Sequence, residues 1–153
     1  MEQTIDTLIL GELIHYGEKR FIPSKFRPIM NSAWIKPSGG LWTSPVNSSC
    51  GWKDWCIGEE FGRFNESTFF TISLAPDTKI LIIDSLEDLV NAPLTDIYGN
   101  RKSLDFECLV SMGYGAIWLT EKGLNETHLS YPIGLYGWDC ESVLILNPDC
   151  IVC

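Results

Sequence analysis

A short apolar run near the end of the chain, Val143-Leu144-Ile145-Leu146, is partly β-branched and closed by Asn147-Pro148. Such a run predicts a strand buried on both faces. Two carboxylates, Asp139 and Glu141, stand just ahead of it with a spacing of two. On a strand that spacing puts both side chains on one face of the sheet. Taken alone the pair reads as the solvated opening of a strand, because a carboxylate at a buried mouth costs solvation unless something binds there.

The same reading along the chain predicts further short elements. Thr7 to His15 is a strand that runs into the turn His15-Tyr16-Gly17. Lys19 to Asn31, with two prolines and no period, is a loop or short helix, and Ala33 to Lys36 is extended. Pro37-Ser38-Gly39-Gly40 turns the chain before a strand Leu41-Trp42-Thr43-Ser44 that ends at Pro45. Ser48 or Ser49 caps a helix over Gly51 to Glu60, with Trp52, Trp55 and Cys56 at helical spacing. Strands follow over Thr68 to Leu74, Lys79 to Ile83 and Gly115 to Leu119. Ser85-Leu86-Glu87-Asp88 is a capping box, and Ser103 caps a longer helix with Phe106, Leu109 and Val110 inward and Gly113 as its stop. Thr120 to Ser130 is a polar loop. Without regular βαβ alternation, this pattern favours α+β over a doubly wound sheet.

At 153 residues with no repeat or low-complexity linker, the expectation is a single domain over residues 1–153. A hydrophobic content of 45% with six Trp excludes a disordered chain. The start, Met-Glu-Gln-Thr-Ile-Asp, lacks the basic lead and apolar core of a signal peptide, and no run suits a membrane helix. A cytoplasmic protein, in its own cell or a host's, is therefore expected, with free thiols and no membrane partner. Six cysteines without a CxxC pair and only two histidines argue against a metal site. The net charge of −9 argues against broad binding to nucleic acid, yet Lys19, Arg20, Lys25, Arg27 and Lys36 concentrate five of the 11 basic residues in one island. That island suits one phosphate-bearing ligand, or is an ordinary solvated loop.

P-loop, GxGxxG, GxSxG and HExxH motifs are absent. What remains is an ordered set: a strand ending in His15-Tyr16-Gly17, then Gly39-Gly40-Leu41-Trp42-Thr43-Ser44, a Trp-bearing helix, and Glu141 on a late strand. In this order the sequence resembles the ADP-ribosyltransferase superfamily, in the branch whose triad is His, an aromatic and Glu. That branch is similar to diphtheria-toxin-like, PARP-like and small bacterial or phage transferases. Tyr16 stands where the family has Gly, and Trp42 where it has Tyr. The resemblance implies a split two-sheet fold and transfer of ADP-ribose from NAD to a macromolecule, without a metal. It implies Glu141 beside the ribose as positive charge grows there, and His15 on the adenosine-side ribose. Tyr16 and Gly17 would grip the nicotinamide amide, and Trp42 with Trp52 or Trp55 would face the cationic ring. Thr43 belongs to the same strand motif, Ser44 would steady Glu141, Arg27 or Lys36 would meet the pyrophosphate, and Asp139 would activate the acceptor.

Each residue also has a plain reading: a satisfied histidine at a strand end, tryptophans three apart as core, Trp34, Trp118 and Trp138 as core or rim, and His128 as surface. The expectation is a mono-ADP-ribosyltransferase, an intracellular toxin or phage-delivered effector with a protein acceptor favoured over nucleic acid and room for an antidote protein. The alternatives are an NAD glycohydrolase, an inactive module that binds NAD or ADP-ribose, and an interaction protein.

Overall fold

In a computed structural model of the chain, residues 9–53 and 68–153 are described. Their strands, in chain order, are β1 (Leu13–Tyr16), β2 (Leu41–Pro45), β3 (Phe69–Leu74), β4 (Ile80–Ile83), β5 (Leu94–Ile97), β6 (Arg101–Leu104), β7 (Ala116–Leu119), β8 (Ser142–Ile145) and β9 (Ile151–Val152). Among the described residues, three short α-helices, α1 (Leu86–Val90), α2 (Phe106–Ser111) and α3 (Glu121–Thr127), lie between strands, and helical turns also occur at residues 9–10 and 52–53. Seven strands join in the order β4-β7-β8-β2-β1-β3-β9, and β5-β6 form a separate hairpin. Among the described residues only β4 and β7 pair in parallel within the large sheet, so the fold is mixed α+β. Among the described residues no helix is long and apolar enough to cross a membrane.

β8 explains why the sequence from Val143 to Leu146 is an unbroken apolar run. All four of its residues are buried. Leu144 packs into one core with Ile117, Leu119, Phe106 and Leu109, while Val143 and Ile145 pack into the other with Leu13, Phe70 and Ile72. Alternate side chains thus enter apolar layers on opposite faces, and the strand's one polar residue, Ser142 at its start, turns its Oγ to the Cys140 carbonyl at 2.9 Å. β3, by contrast, alternates exposed and buried residues along its length and covers one core only.

Several elements depart from the sequence reading. Ala33 to Lys36 is a series of bends instead of extended chain. Ser103 lies in β6; Asp105 caps α2 by accepting from Cys108 N, and Val110 points outward while Phe106 and Leu109 are buried. Thr120 to Ser130 holds α3, because Thr120 Oγ1 accepts from Gly123 N and so turns a polar stretch into a capped helix. The β5-β6 hairpin is closed by Tyr98-Gly99-Asn100, where Gly99 and Asn100 both take positive φ. Most of the helix expected over Gly51 to Glu60, Trp55 included, lies outside the described residues, whereas the strand expected from Thr7 begins, among the described residues, only at Leu13, because Ile9 and Leu10 are helical and Gly11 takes a positive φ of 66°.

Candidate functional site

The site grows from the way β2 divides its two edges. Leu41, Trp42 and Thr43 pair with β8, whereas β1 pairs with β2 only at Leu13↔Pro45 and Ile14↔Ser44. Beyond that point His15 and Tyr16 continue with β3 alone, and a gap opens between β1 and β2. His15 bridges it: Nδ1 lies 2.7 Å from the carbonyl oxygen of Trp42. A carbonyl only accepts, so Nδ1 carries the proton, and in the neutral ring Nε2 is left as an acceptor. The ring is seated on Phe70 at 5.1 Å between centroids.

A cleft of about 280 Å³ follows this gap, with His15 and Tyr16 on one wall and Trp42, Thr43 and Ser44 on the other. Trp42 meets Trp138 edge to face at 4.7 Å, and Lys36 holds its ammonium 5.4 Å from the Trp42 ring. That aromatic face therefore already attracts a cation. Trp52 and Asp139 also line the cleft. Trp138 is buried, and its Nε1–H has no hydrogen-bond partner among the described residues.

Ser44 ties the cleft to the mouth of β8. Its Oγ donates to the main-chain oxygen of Glu141 at 2.9 Å and accepts from Trp52 N at 3.0 Å. Thr43 Oγ1 is turned to the carbonyl of Val143 at 2.7 Å, a ladder contact within the sheet.

The two carboxylates do not share a face. β8 begins only at Ser142, with a bend at Cys140, and Glu141 N donates to Cys50 O instead of joining the ladder. Period-two alternation fails ahead of the strand, so Asp139 lines the cleft while Glu141 lines an adjoining open recess with Asp84, Glu121, Lys122 and Glu126. Cys140 and Ser142 line the cleft on either side of Glu141, which places its main chain at the boundary between the two. Glu141 Oε2 accepts from Trp118 Nε1 at 2.9 Å and Oε1 from Ser48 Oγ. Burial pushes the neighbouring thiols of Cys50 and Cys140 above their ordinary value, so both are neutral near pH 7.

On the far side of His15 lies a second pocket of about 180 Å³ with Phe21, Phe26 and Phe70 in its walls and Glu18, Arg20 and Lys25 at its rim.

The expected site residues thus sort themselves. His15, Tyr16, Lys36, Trp42, Thr43, Ser44, Trp52 and Asp139 gather around one cleft. Gly17, with φ of 112° and its N–H on Thr68 O, and Arg27, exposed with its carbonyl held by Gly40 N, line none of these cavities. Sequence reasoning missed Trp118 and Ser48 as partners of Glu141. Only the register Trp118↔Val143, which sets Trp118 diagonally across from Glu141, reveals the first of them. Among the described residues no group of His, Cys, Asp and Glu is arranged to hold a metal ion. Compared with protein families, with curated proteins and with solved structures, the chain gives no match.

Proposed function

We propose that the cleft binds NAD, that the sheet is an ADP-ribosyltransferase-like split sandwich, and that the chain transfers ADP-ribose to a macromolecular acceptor. One observation carries this reading. His15, on a strand that parts from its neighbour, faces across the gap the aromatic wall of Trp42, and Ser44 of that wall is bonded to the main chain of Glu141. A dinucleotide needs two ring pockets joined by a polar waist, and the aromatic cleft and the phenylalanine pocket meet at His15.

In this reading the nicotinamide ring lies against Trp42, where Lys36 now holds a positive charge. The C–N bond to the ribose breaks with its electron pair leaving on nicotinamide, and positive charge develops on the sugar. The ribose sits at the boundary between cleft and recess, so that Glu141 and Asp139 approach it from two sides. Glu141, fixed by Trp118 and Ser48, stabilises the charge without reorganising at the moment of reaction. Asp139 takes the proton of the acceptor group. The acceptor approaches through the open recess, and the acidic recess and net charge of −9 favour a protein over a nucleic acid.

The test uses NAD labelled on the adenylate, incubated with the protein and cell lysate. Label on a macromolecule together with released nicotinamide supports the transferase. Nicotinamide without label assigns a glycohydrolase, and binding without turnover a sensor of NAD. Absence of all three sinks the reading. Glu141→Gln should abolish nicotinamide release with little change in NAD affinity, whereas Asp139→Asn should spare release and lower transfer. The opposite pattern would exchange their roles.

A further inference from the structure

The pocket behind His15 carries charges that bond cleavage does not use. Lys25 Nζ lies 3.3 Å from Glu18 Oε1, so these two neutralise each other within the rim. Arg20 has no ion-pair partner among the described residues. It is therefore free for the pyrophosphate that every dinucleotide of this class carries.

Building on the reading of the cleft as an NAD site, we propose that Glu18 determines specificity by selecting NAD over its 2′-phosphorylated form, NADP. The two differ only at the 2′ carbon of the adenine-side ribose, which bears a hydroxyl in one and a phosphate in the other. Among the side chains that share the pocket, His15 and Glu18 offer acceptors, while Lys25, paired with Glu18, and Arg20 are the cations at its rim. With Nδ1 committed to the Trp42 carbonyl, Nε2 is the His15 ring nitrogen left to meet a ligand. Glu18 engages Lys25 through Oε1, and Oε2 has no partner among the described residues. A ribose hydroxyl donates to either group. A phosphate has no such proton at neutral pH and sets its own negative charge against that of Glu18. Lys25 softens the repulsion while it remains paired, which makes Glu18 the discriminator and Lys25 its moderator.

The measurement is equilibrium titration of tryptophan fluorescence with NAD and with NADP, in the absence of acceptor, so that binding is read apart from turnover. The intact chain should bind NADP at least about tenfold more weakly than NAD. Glu18→Gln should narrow the ratio to about threefold or less, mainly by tightening NADP, and Lys25→Gln should widen it. Opposite movement in the two variants is a signature that loss of a merely structural ion pair cannot give, since either variant breaks the same pair. If NAD binds but the ratio is unmoved in both variants, the assignment of Glu18 is wrong and the NAD site survives. If NADP binds more tightly than NAD, Arg20 governs the pocket and the proposal is overturned. If neither dinucleotide binds, the NAD reading falls and takes this one with it.

Discussion

Trp118→Phe is the substitution that tests most directly how Glu141 is held. It deletes the indole N–H that donates to Glu141 Oε2 at 2.9 Å and keeps an aromatic ring on β7. A hydrogen bond to a charged group contributes about 1.5–3 kcal/mol when well shielded. Both residues are half-buried, so water replaces part of what is lost, and about 1–2 kcal/mol is the working figure. If the bond holds Glu141 in the orientation that stabilises the cationic ribose, that free energy is lost from the transition state. At about 1.4 kcal/mol per factor of ten, kcat for nicotinamide release should fall roughly 5–30-fold. KM for NAD should stay within about twofold, because the interaction is made with charge that appears only during bond breaking. Initial rates over a range of NAD concentrations give both constants, and thermal unfolding monitored by circular dichroism controls for the lost packing. An unchanged kcat in a folded variant would refute the reasoning. A rise in KM at constant kcat would show instead that Glu141 contributes to ground-state binding. Ser48→Ala, which removes the donor to Oε1, should follow the same pattern.

Other predictions concern the frame around the site. Gly123→Ala should cost about 2–4 kcal/mol in chemical denaturation, since its Cβ would press on the main-chain oxygen of Ile83, a backbone atom that cannot yield. Thr120→Ala should cost about 1–2 kcal/mol, because Thr120 Oγ1 caps α3 and also donates to Asp84 Oδ1. Leu144→Ala, at a fully buried position of β8, should cost about 2–5 kcal/mol in the same assay. The thiol of Cys140 is raised by burial, so the native state keeps a proton that the unfolded chain releases first. Its contribution is full below the unfolded thiol value, about 8.5, and is lost as pH rises through the higher native value; urea midpoints should therefore decline more steeply above that pH in the intact chain than in Cys140→Ala.

What could be read in advance follows from how local each cause is. β8 was legible because burial on both faces leaves the apolar run Val143 to Leu146, three of whose residues lie in the strand, a signal that needs no partner. The motif around Trp42 was legible because Gly40 and Pro45 bracket the strand. α3 was not, because its cap, Thr120, is polar and its buried residues include only Gly123 and Thr127, so no apolar stripe advertises a helix. The β5-β6 hairpin was missed because Leu94-Thr95-Asp96-Ile97 is short and mostly half-exposed, and its turn is a three-residue one. The cleft itself depends on β2 changing partners between Thr43 and Ser44, which is a matter of pairing between distant segments.

The pair of carboxylates shows the same limit at its sharpest. A spacing of two implies a shared face only where the backbone is already in a ladder, and the ladder of β8 starts one residue too late for Glu141. What fixes Glu141 is Cys50, whose carbonyl takes its N–H and so turns the chain at Cys140. The consequence is chemical as well as geometric. Two carboxylates on one face would repel each other and compete for one ligand, whereas in the proposed reading one in the cleft and one in the recess would meet the ribose from different sides. On that proposal, a dinucleotide and an acceptor would have separate routes to the same carbon. On this account the segment Ser48 to Gly51, which supplies both the carbonyl that turns Glu141 and the hydroxyl that anchors it, shapes the site as much as the strand that carries the glutamate.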